Sequence, residues 1–380
     1  MKKILFVVPS LEVGGTISSL SSMIECLHDS YNINVLALAH EGNLNVDFKR
    51  FLLKRRFLLH AYYCTYSKSR GIGKCLILFV KLIKRAGILL NIDVEYFLCK
   101  VFSRSCWKYD YVVGFQEGGA TKFVSYMRND NKIAWIHCDY QNSSKCGLEF
   151  NLYNKFSNII CVSRYTASTF CKIYPSLRPK VQCIYNLLNT EAIQNSSTLP
   201  VDDINFITDT FTIVSIGRIT KVKRFEYIPK IASSLIERGC QFKWFIIGPD
   251  SGDQSYQKLL DNIEKYNTED YVICLGNKFN PYPYLLKAKL LVSLSYTEAC
   301  PMIFNEAKIL NVPVVTTDFG SSYEFISDGE SGIITTINEI DNVLFEVISN
   351  TSFYQMLKNN MAHLKYSNAS IIQSLHSLFY

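Results

Sequence analysis

Short apolar runs recur along the chain, each closed by polar or glycine residues and each followed by a stretch with helical spacing. In the first half the runs are KILFVVP (3–9), INVLALAH (33–40), YDYVVGF (109–115), KIAWI (132–136), NIICVS (158–163) and KVQCIY (180–185). Helical spacing follows over 17–27, 121–127 and 164–173. Residues 189–209 are rich in Asn, Ser, Thr and Asp, contain Pro200 and hold no strong period, which predicts an interdomain linker. The pattern then restarts with strands at 211–217, 242–248, 271–276, 290–294 and 312–316, and helices at 225–238, 254–266 and 281–288. A further helix is opened by Pro301, and the tail from Ser352 reads as one or two more. Strands alternating with helices predict parallel sheets, so the fold class is α/β with two Rossmann-like, doubly wound domains, 1–190 and 205–364, facing across a ligand cleft.

Composition narrows the setting. With 380 residues, 48% of them hydrophobic, the chain can build two sizeable cores. No run of 18 uncharged apolar residues occurs, and the opening MKKILFVVPSLEVGG reads as a buried strand rather than a leader, so a cytoplasmic protein is expected. The 13 cysteines show neither CxxC nor Cys/His ligand spacing, which points to a reducing compartment without structural zinc or disulfides. The net charge of +7 is concentrated: residues 49–108 hold 14 Lys and Arg against two acids, Asp93 and Glu95. Interleaved with apolar blocks, that excess fits helices lying on an anionic membrane at the inner face of the plasma membrane, or equally the solvated faces of amphipathic helices. No recognition motif accompanies it, so nucleic acid is not an expected partner.

Candidate chemistry gathers where predicted strands stop. Glu298 and Glu306 lie with seven residues between them after the strand at 290–294. On one continuous helix they would stand roughly 12 Å apart, outside the range for the acid and nucleophile of a glycosidase. With Glu298 in the loop instead, the two carboxylates can accept hydroxyls from the two ends of a nucleotide sugar, whose diphosphate meets the free N–H groups of residues 300–303. Two solvated glutamates on a surface helix is the alternative. The strand at 211–217 exits into Gly217-Arg218-Ile219-Thr220-Lys221-Val222-Lys223-Arg224, where Arg218 and Lys223 can neutralise a diphosphate or simply line a solvated turn. Gly14-Gly15-Thr16 at the first strand-to-helix turn lets a ligand approach the backbone, but the GxGxxG spacing of a dinucleotide site is missing. Gln116-Glu117-Gly118-Gly119 and His137-Cys138-Asp139-Tyr140 end the next two strands. His137 can touch a phosphate or reacting sugar, or be satisfied by its neighbours.

The chain resembles the retaining glycosyltransferases of family 4, which have the GT-B fold. The likeness runs through the N-terminal strand with its Gly pair, WIHCDY, NIICVSRYTAS, VSIGRITKVKRFEYI, FIIGPD and TEACPMIFNEAKILNVPVVTTDFGSSYEFISDGESG, which holds that family's E-x7-E signature. The resemblance implies that Arg218 and Lys223 hold the donor diphosphate, Glu306 takes the ribose hydroxyls and Glu298 meets the transferred sugar. Gly217, Asn277, Lys278 and the backbone of Cys300, Pro301, Met302 and Ile303 complete the donor side. The glycine loop of Gly14, Gly15 and Thr16 and His137 would face them from the first domain, with Glu117 and Asp139 toward the acceptor, and a C-terminal helix at about 365–380 would cross back onto that domain.

The activity so implied is transfer of a hexose-type unit from a UDP-linked sugar to a glycan or lipid-linked acceptor in bacterial surface-polysaccharide synthesis. Retention is expected through same-face substitution, with no cofactor and no metal, since no DxD stands at a strand end (Asp202-Asp203 lies in the linker). A nucleotide-sugar 2-epimerase and a non-catalytic nucleotide-sugar-binding subunit are the rival readings. Three departures bear on donor and acceptor choice: Arg224 stands where many relatives have Gly, TEACP replaces the common SEGFP, and the usual Glu after the Gly pair is missing.

Overall fold

A computed structural model describes residues 1–11, 14–39, 46–53, 61–63, 72–102, 108–143, 145–201 and 210–380. The chain forms two compact units, Met1–Leu188 with Asn368–Tyr380, and Asn189–Ser367.

The first unit holds a six-stranded parallel sheet in the order β2-β1-β3-β4-β5-β6. Its strands are β1 (Lys3–Val8), β2 (Asn32–Ala37), β3 (Tyr111–Gly114), β4 (Lys132–Ile136), β5 (Asn158–Cys161) and β6 (Val181–Cys183). The central strands are unbroken apolar runs because helices cover both faces of such a sheet; Ile4 through Val8 are all fully buried. Local chemistry starts the helices. Ser163 caps the helix Arg164–Ile173 by accepting from the Thr166 N–H at 3.1 Å. The helix Ala369–Leu378 belongs to this unit, where Phe379 meets Phe6 edge-on and the Asn368 amide donates to the Leu188 carbonyl at 2.7 Å.

The second unit repeats the plan in the order β12-β11-β10-β7-β8-β9. The strands are β7 (Phe211–Ile216), β8 (Phe242–Ile247), β9 (Val272–Gly276), β10 (Leu290–Ser293), β11 (Val314–Thr317) and β12 (Gly332–Thr335). A buried polar bridge ties its three middle strands: Trp244 Nε1–H donates to Ser215 Oγ at 3.0 Å, and Ser215 donates to the Val292 carbonyl at 2.7 Å. With both groups satisfied, the hydroxyl fixes register without the penalty of an orphaned dipole.

Several elements differ from the sequence expectation. β12 is an edge strand that four residues beginning with glycine do not announce; a Cβ at Gly332 would stand 2.2 Å from the Val314 carbonyl oxygen, so the strand needs that glycine to pair. The helix Ile340–Ser349, which packs Ile340, Leu344 and Val347 into the second core, also lies outside the predicted set. Part of the stretch read as linker is a helix, Thr190–Ser197, capped by Asn189 and burying only Ile193 and Ser197, which is why its sequence looks polar. Residues 202–209 of that stretch, with Asp202 and Asp203, fall outside the described residues, as do parts of the basic region (54–60, 64–71 and 103–107).

In both sheets the chain runs outward in one direction from a central strand and then returns to build the other side. The reversal falls between β1 and β3 in the first unit and between β7 and β10 in the second. A crevice beyond the carboxyl ends of the strands opens at such a point. The β7 and β8 exits there are locked by glycines: Gly248 has φ +154°, and a Cβ on it would sit 1.9 Å from the Gly217 carbonyl oxygen. Gly248→Ala is expected to cost about 3 kcal/mol or more, read as a lower denaturation midpoint. An unchanged midpoint would show that the two exits have room to separate.

Candidate functional site

The β7 exit turns sharply through residues 217–224 and is fixed from two sides. Asp253 accepts from the Lys221 N–H at 3.1 Å, and the Val222 carbonyl accepts from the Tyr296 N–H at 2.8 Å. The second contact joins this turn to the β10 exit, so the two loops at the reversal point are stitched together through the backbone. Lys223 and Glu298 meet there in an ion pair, each side chain about one-fifth exposed (20% and 19%). Ser295 donates to the same Glu298 carboxylate oxygen at 2.8 Å, Ser321 donates to the Glu298 backbone carbonyl at 2.7 Å, and Thr317 donates to the Ser295 carbonyl at 2.6 Å. Glu298 is thus held by groups from β10, from the β11 exit and from the turn after β7.

Arg218 is exposed at the same strand end, and a Cβ on Gly217 would come 3.2 Å from Lys223 Cε, so the absence of a side chain lets the lysine lie along the turn. Arg224 adopts a left-handed backbone, φ 54°, a conformation that favours glycine. Its guanidinium lies 4.6 Å from the centre of the Tyr296 ring, a cation–π contact that offsets part of the strain.

The helix Met302–Ile309 follows, with Pro301 as N-cap and no side chain capping it. The Phe304 N–H turns back to the Pro301 carbonyl at 3.1 Å, while those of Met302 and Ile303 have no intrahelical acceptor, and the helix dipole favours an anion at that end. Ile303 is buried and anchors the turn, while Cys300 and Met302 are half-buried. Glu306, one and a half turns in, is partly exposed as a residue. Burial of its carboxyl raises its pKa from 4.5 to about 7, against the lowering effects of a hydrogen bond from Tyr282 and the nearby charge of Lys223. Tyr282 has no sequence signature, since a tyrosine opening the helix Tyr282–Lys287 matches no motif. Asn277 at the β9 exit is exposed, and Lys278 beside it lies 5.9 Å from the Tyr284 ring centre.

The remaining candidates stand in the first unit. Gly14 precedes the helix Gly15–Leu27, whose start, including Thr16, has no acidic residue and no side-chain cap. Ser19 on that helix donates to Asn186, at the end of β6, at 2.9 Å. Glu117, at the β3 exit, accepts from the His137 backbone N–H at 2.9 Å, joining the β3 and β4 exits. The His137 ring stacks 4.7 Å from Phe115 with Nε2 buried and without a hydrogen-bond partner, and burial pushes its pKa down to about 3, so the imidazole is neutral. Asp139 is buried, and its Oδ2 accepts from Asn142 at 2.9 Å and Gln141 at 3.2 Å in its own turn and from the Tyr165 hydroxyl of the helix Arg164–Ile173 at 3.4 Å.

The chemistry of the second-unit cluster is clear: a fixed ammonium, an exposed guanidinium, an open helix N-terminus and two carboxylates, one of them costly to ionise. Residues 201–363, almost all of this unit, match the family model described as Glycosyl transferases group 1. An uncharacterized glycosyltransferase of Methanocaldococcus jannaschii is 27% identical over 207 residues, 54% of this chain and 50% of that protein. A poly(ribitol-phosphate) alpha-N-acetylglucosaminyltransferase of Staphylococcus aureus is 28% identical over 173 residues, 43% of this chain and 34% of that protein. The matched stretch thus spans half or less of these relatives. Among solved structures, Anabaena HepE, crystallised with UDP and glucose, superposes with a TM-score of 0.74 at 17% identity, covering 99% of both chains. That likeness is one of fold: the two-sheet α/β architecture that the sequence pattern implies, of the GT-B type that the family resemblance implies.

Glu306 gives this site a pH signature. Unfolded, its carboxyl titrates near 4.5; folded, near 7. A raised folded value means stability that is full below 4.5 and lost as pH rises through 7, up to about 3 kcal/mol. Glu306→Gln is therefore expected to melt higher than the parent chain at about pH 8 and to match it below about pH 5. A gap independent of pH would remove the buried-carboxyl account.

Proposed function

We propose that this protein is a retaining, metal-independent glycosyltransferase that moves a hexose-type sugar from a UDP-linked donor to a hydroxyl of a glycan or lipid-linked acceptor. The observation that carries this reading is the meeting of Lys223 and Glu298 at the β7/β10 reversal, beside the open start of the helix that holds Glu306. The group 1 domain over the same residues supports it.

In this reading the donor diphosphate lies across the N–H groups of Met302 and Ile303, with Lys223 and Arg218 against its oxygens. Charge grows there as the sugar–oxygen bond breaks, and fixed cations and dipoles stabilise it without reorganising. Glu306 accepts the two ribose hydroxyls, and Glu298, already oriented by Ser295, accepts hydroxyls of the sugar. The acceptor attacks the face from which the diphosphate departs and gives it the proton, which retains anomeric configuration. His137, neutral because it is buried, can donate or accept a hydrogen bond without adding charge. A surface polymer as acceptor is supported by the S. aureus relative, named for glycosylating poly(ribitol-phosphate).

Removal of Lys223 or Arg218 (Lys223→Ala, Arg218→Ala) is expected to lower turnover by about 10² to 10³. Glu306→Ala is expected chiefly to weaken donor binding. The test is turnover of a nucleotide-sugar panel with and without acceptors, in EDTA. Acceptor-dependent transfer with retained configuration meets the proposal. Free sugar released at the same rate without acceptor would favour an epimerase, loss of activity in EDTA would refute metal independence, and unchanged donor affinity in Glu306→Ala would remove its role.

A further inference from the structure

The helix Ile72–Leu89 breaks the rule by which helices in water are built. A helix facing both core and solvent shows one apolar stripe, and one that is apolar on most sides belongs inside something. This helix, IGKCLILFVKLIKRAGIL, is of the second kind, yet among the described residues it packs a narrow stripe: Ile77 and Val80 against Ala61, and Gly87 against Val94 of the helix Val94–Phe102. Leu82 is 62% exposed, Ile88 79% and Leu89 86%, and Phe97 on the second helix is 64% exposed. Large apolar side chains so exposed along one helix and its following turn mark a surface that is covered when the protein works.

The charge around it selects what covers it. Only two acids occur between Ile72 and Phe102. Glu95 is matched by Lys122 at 2.6 Å and also accepts from Tyr63 at 2.8 Å, while Asp93 accepts from Tyr126 at 2.7 Å and from the Tyr96 N–H at 3.0 Å at the start of the second helix. These contacts fasten the pair to the helix Gly119–Ser125 of the first unit, beside the β3 exit. Lys81 and Arg85 are exposed among the apolar side chains. A second copy of the same face would cover the apolar groups but set cations against cations. An anionic bilayer satisfies both. Among the described residues no helix is long and apolar enough to cross a membrane.

We propose that Ile72–Phe102 is a docking element that lies in the headgroup boundary of an anionic membrane, Leu82, Ile88, Leu89 and Phe97 reaching the acyl region and Lys81 and Arg85 meeting lipid phosphates. The proposal does not depend on the sugar-transfer reading and is tested without donor or acceptor. The experiment is flotation of the purified full chain with vesicles of phosphatidylglycerol mixed into phosphatidylcholine, and with phosphatidylcholine alone, alongside sedimentation of the protein by itself. The chain is expected to float with the anionic vesicles and far less with the neutral ones. Lys81→Gln with Arg85→Gln is expected to lower partition about thirtyfold, and Ile88→Gln with Leu89→Gln about a hundredfold. All four positions are exposed, so both variants are expected to keep the parent melting temperature. No flotation at low salt, equal flotation with neutral vesicles, undiminished binding by folded variants, or a dimer abolished by either variant without flotation would each overturn it.

Discussion

An ammonium and a carboxylate 75 residues apart in sequence meet because two strands are neighbours. Lys223 follows β7 and Glu298 follows β10, and those strands lie side by side only because the sheet of the second unit grows outward from β7, then returns to start again at its other edge. Every other part of the candidate site depends on that adjacency. The Val222–Tyr296 backbone hydrogen bond, the serines on Glu298 and the helix beginning at Met302 all assume that these two exits share one corner. Ser215, bonded to both neighbours inside the sheet, holds the adjacency from below.

The site also concentrates costs that a purely structural corner would not carry. Arg224 holds a left-handed backbone, about 1–2 kcal/mol above the ordinary conformations for a non-glycine residue. Glu306 keeps a carboxyl where burial resists its ionisation. Lys223 and Glu298 are partly desolvated with each other as partners, so the pair is near neutral without ligand and its ammonium is freed only if Glu298 finds hydroxyls instead. Strain and desolvation gathered at one strand-end corner are what a binding site shows and a solvated turn does not.

Much of this was legible in the residues because parallel strands covered on both faces are continuous apolar runs. Most of the strands are such runs; the edge strand β6 has Gln182 exposed at its centre, and β12, opened by Gly332, needs a missing side chain more than a hydrophobic one. Glu298, Glu306, Arg218 and Lys223 were legible as chemistry at strand ends, but that Lys223 and Glu298 pair was not, because pairing follows from strand order, which period alone does not encode. Tyr282 and Ser321 escaped for the same reason: each acts through a neighbour distant in sequence. The helix Thr190–Ser197 hid as polar text because it buries only one side chain of any size, Ile193.

The central claim is that the β7/β10 corner binds a nucleoside diphosphate. A crystal of the full chain soaked with UDP tests it most directly. The account expects the diphosphate on the N–H groups of Met302 and Ile303 with Lys223 and Arg218 beside it, and the ribose on Glu306. Nucleotide bound elsewhere, with the Lys223–Glu298 corner empty, would contradict it.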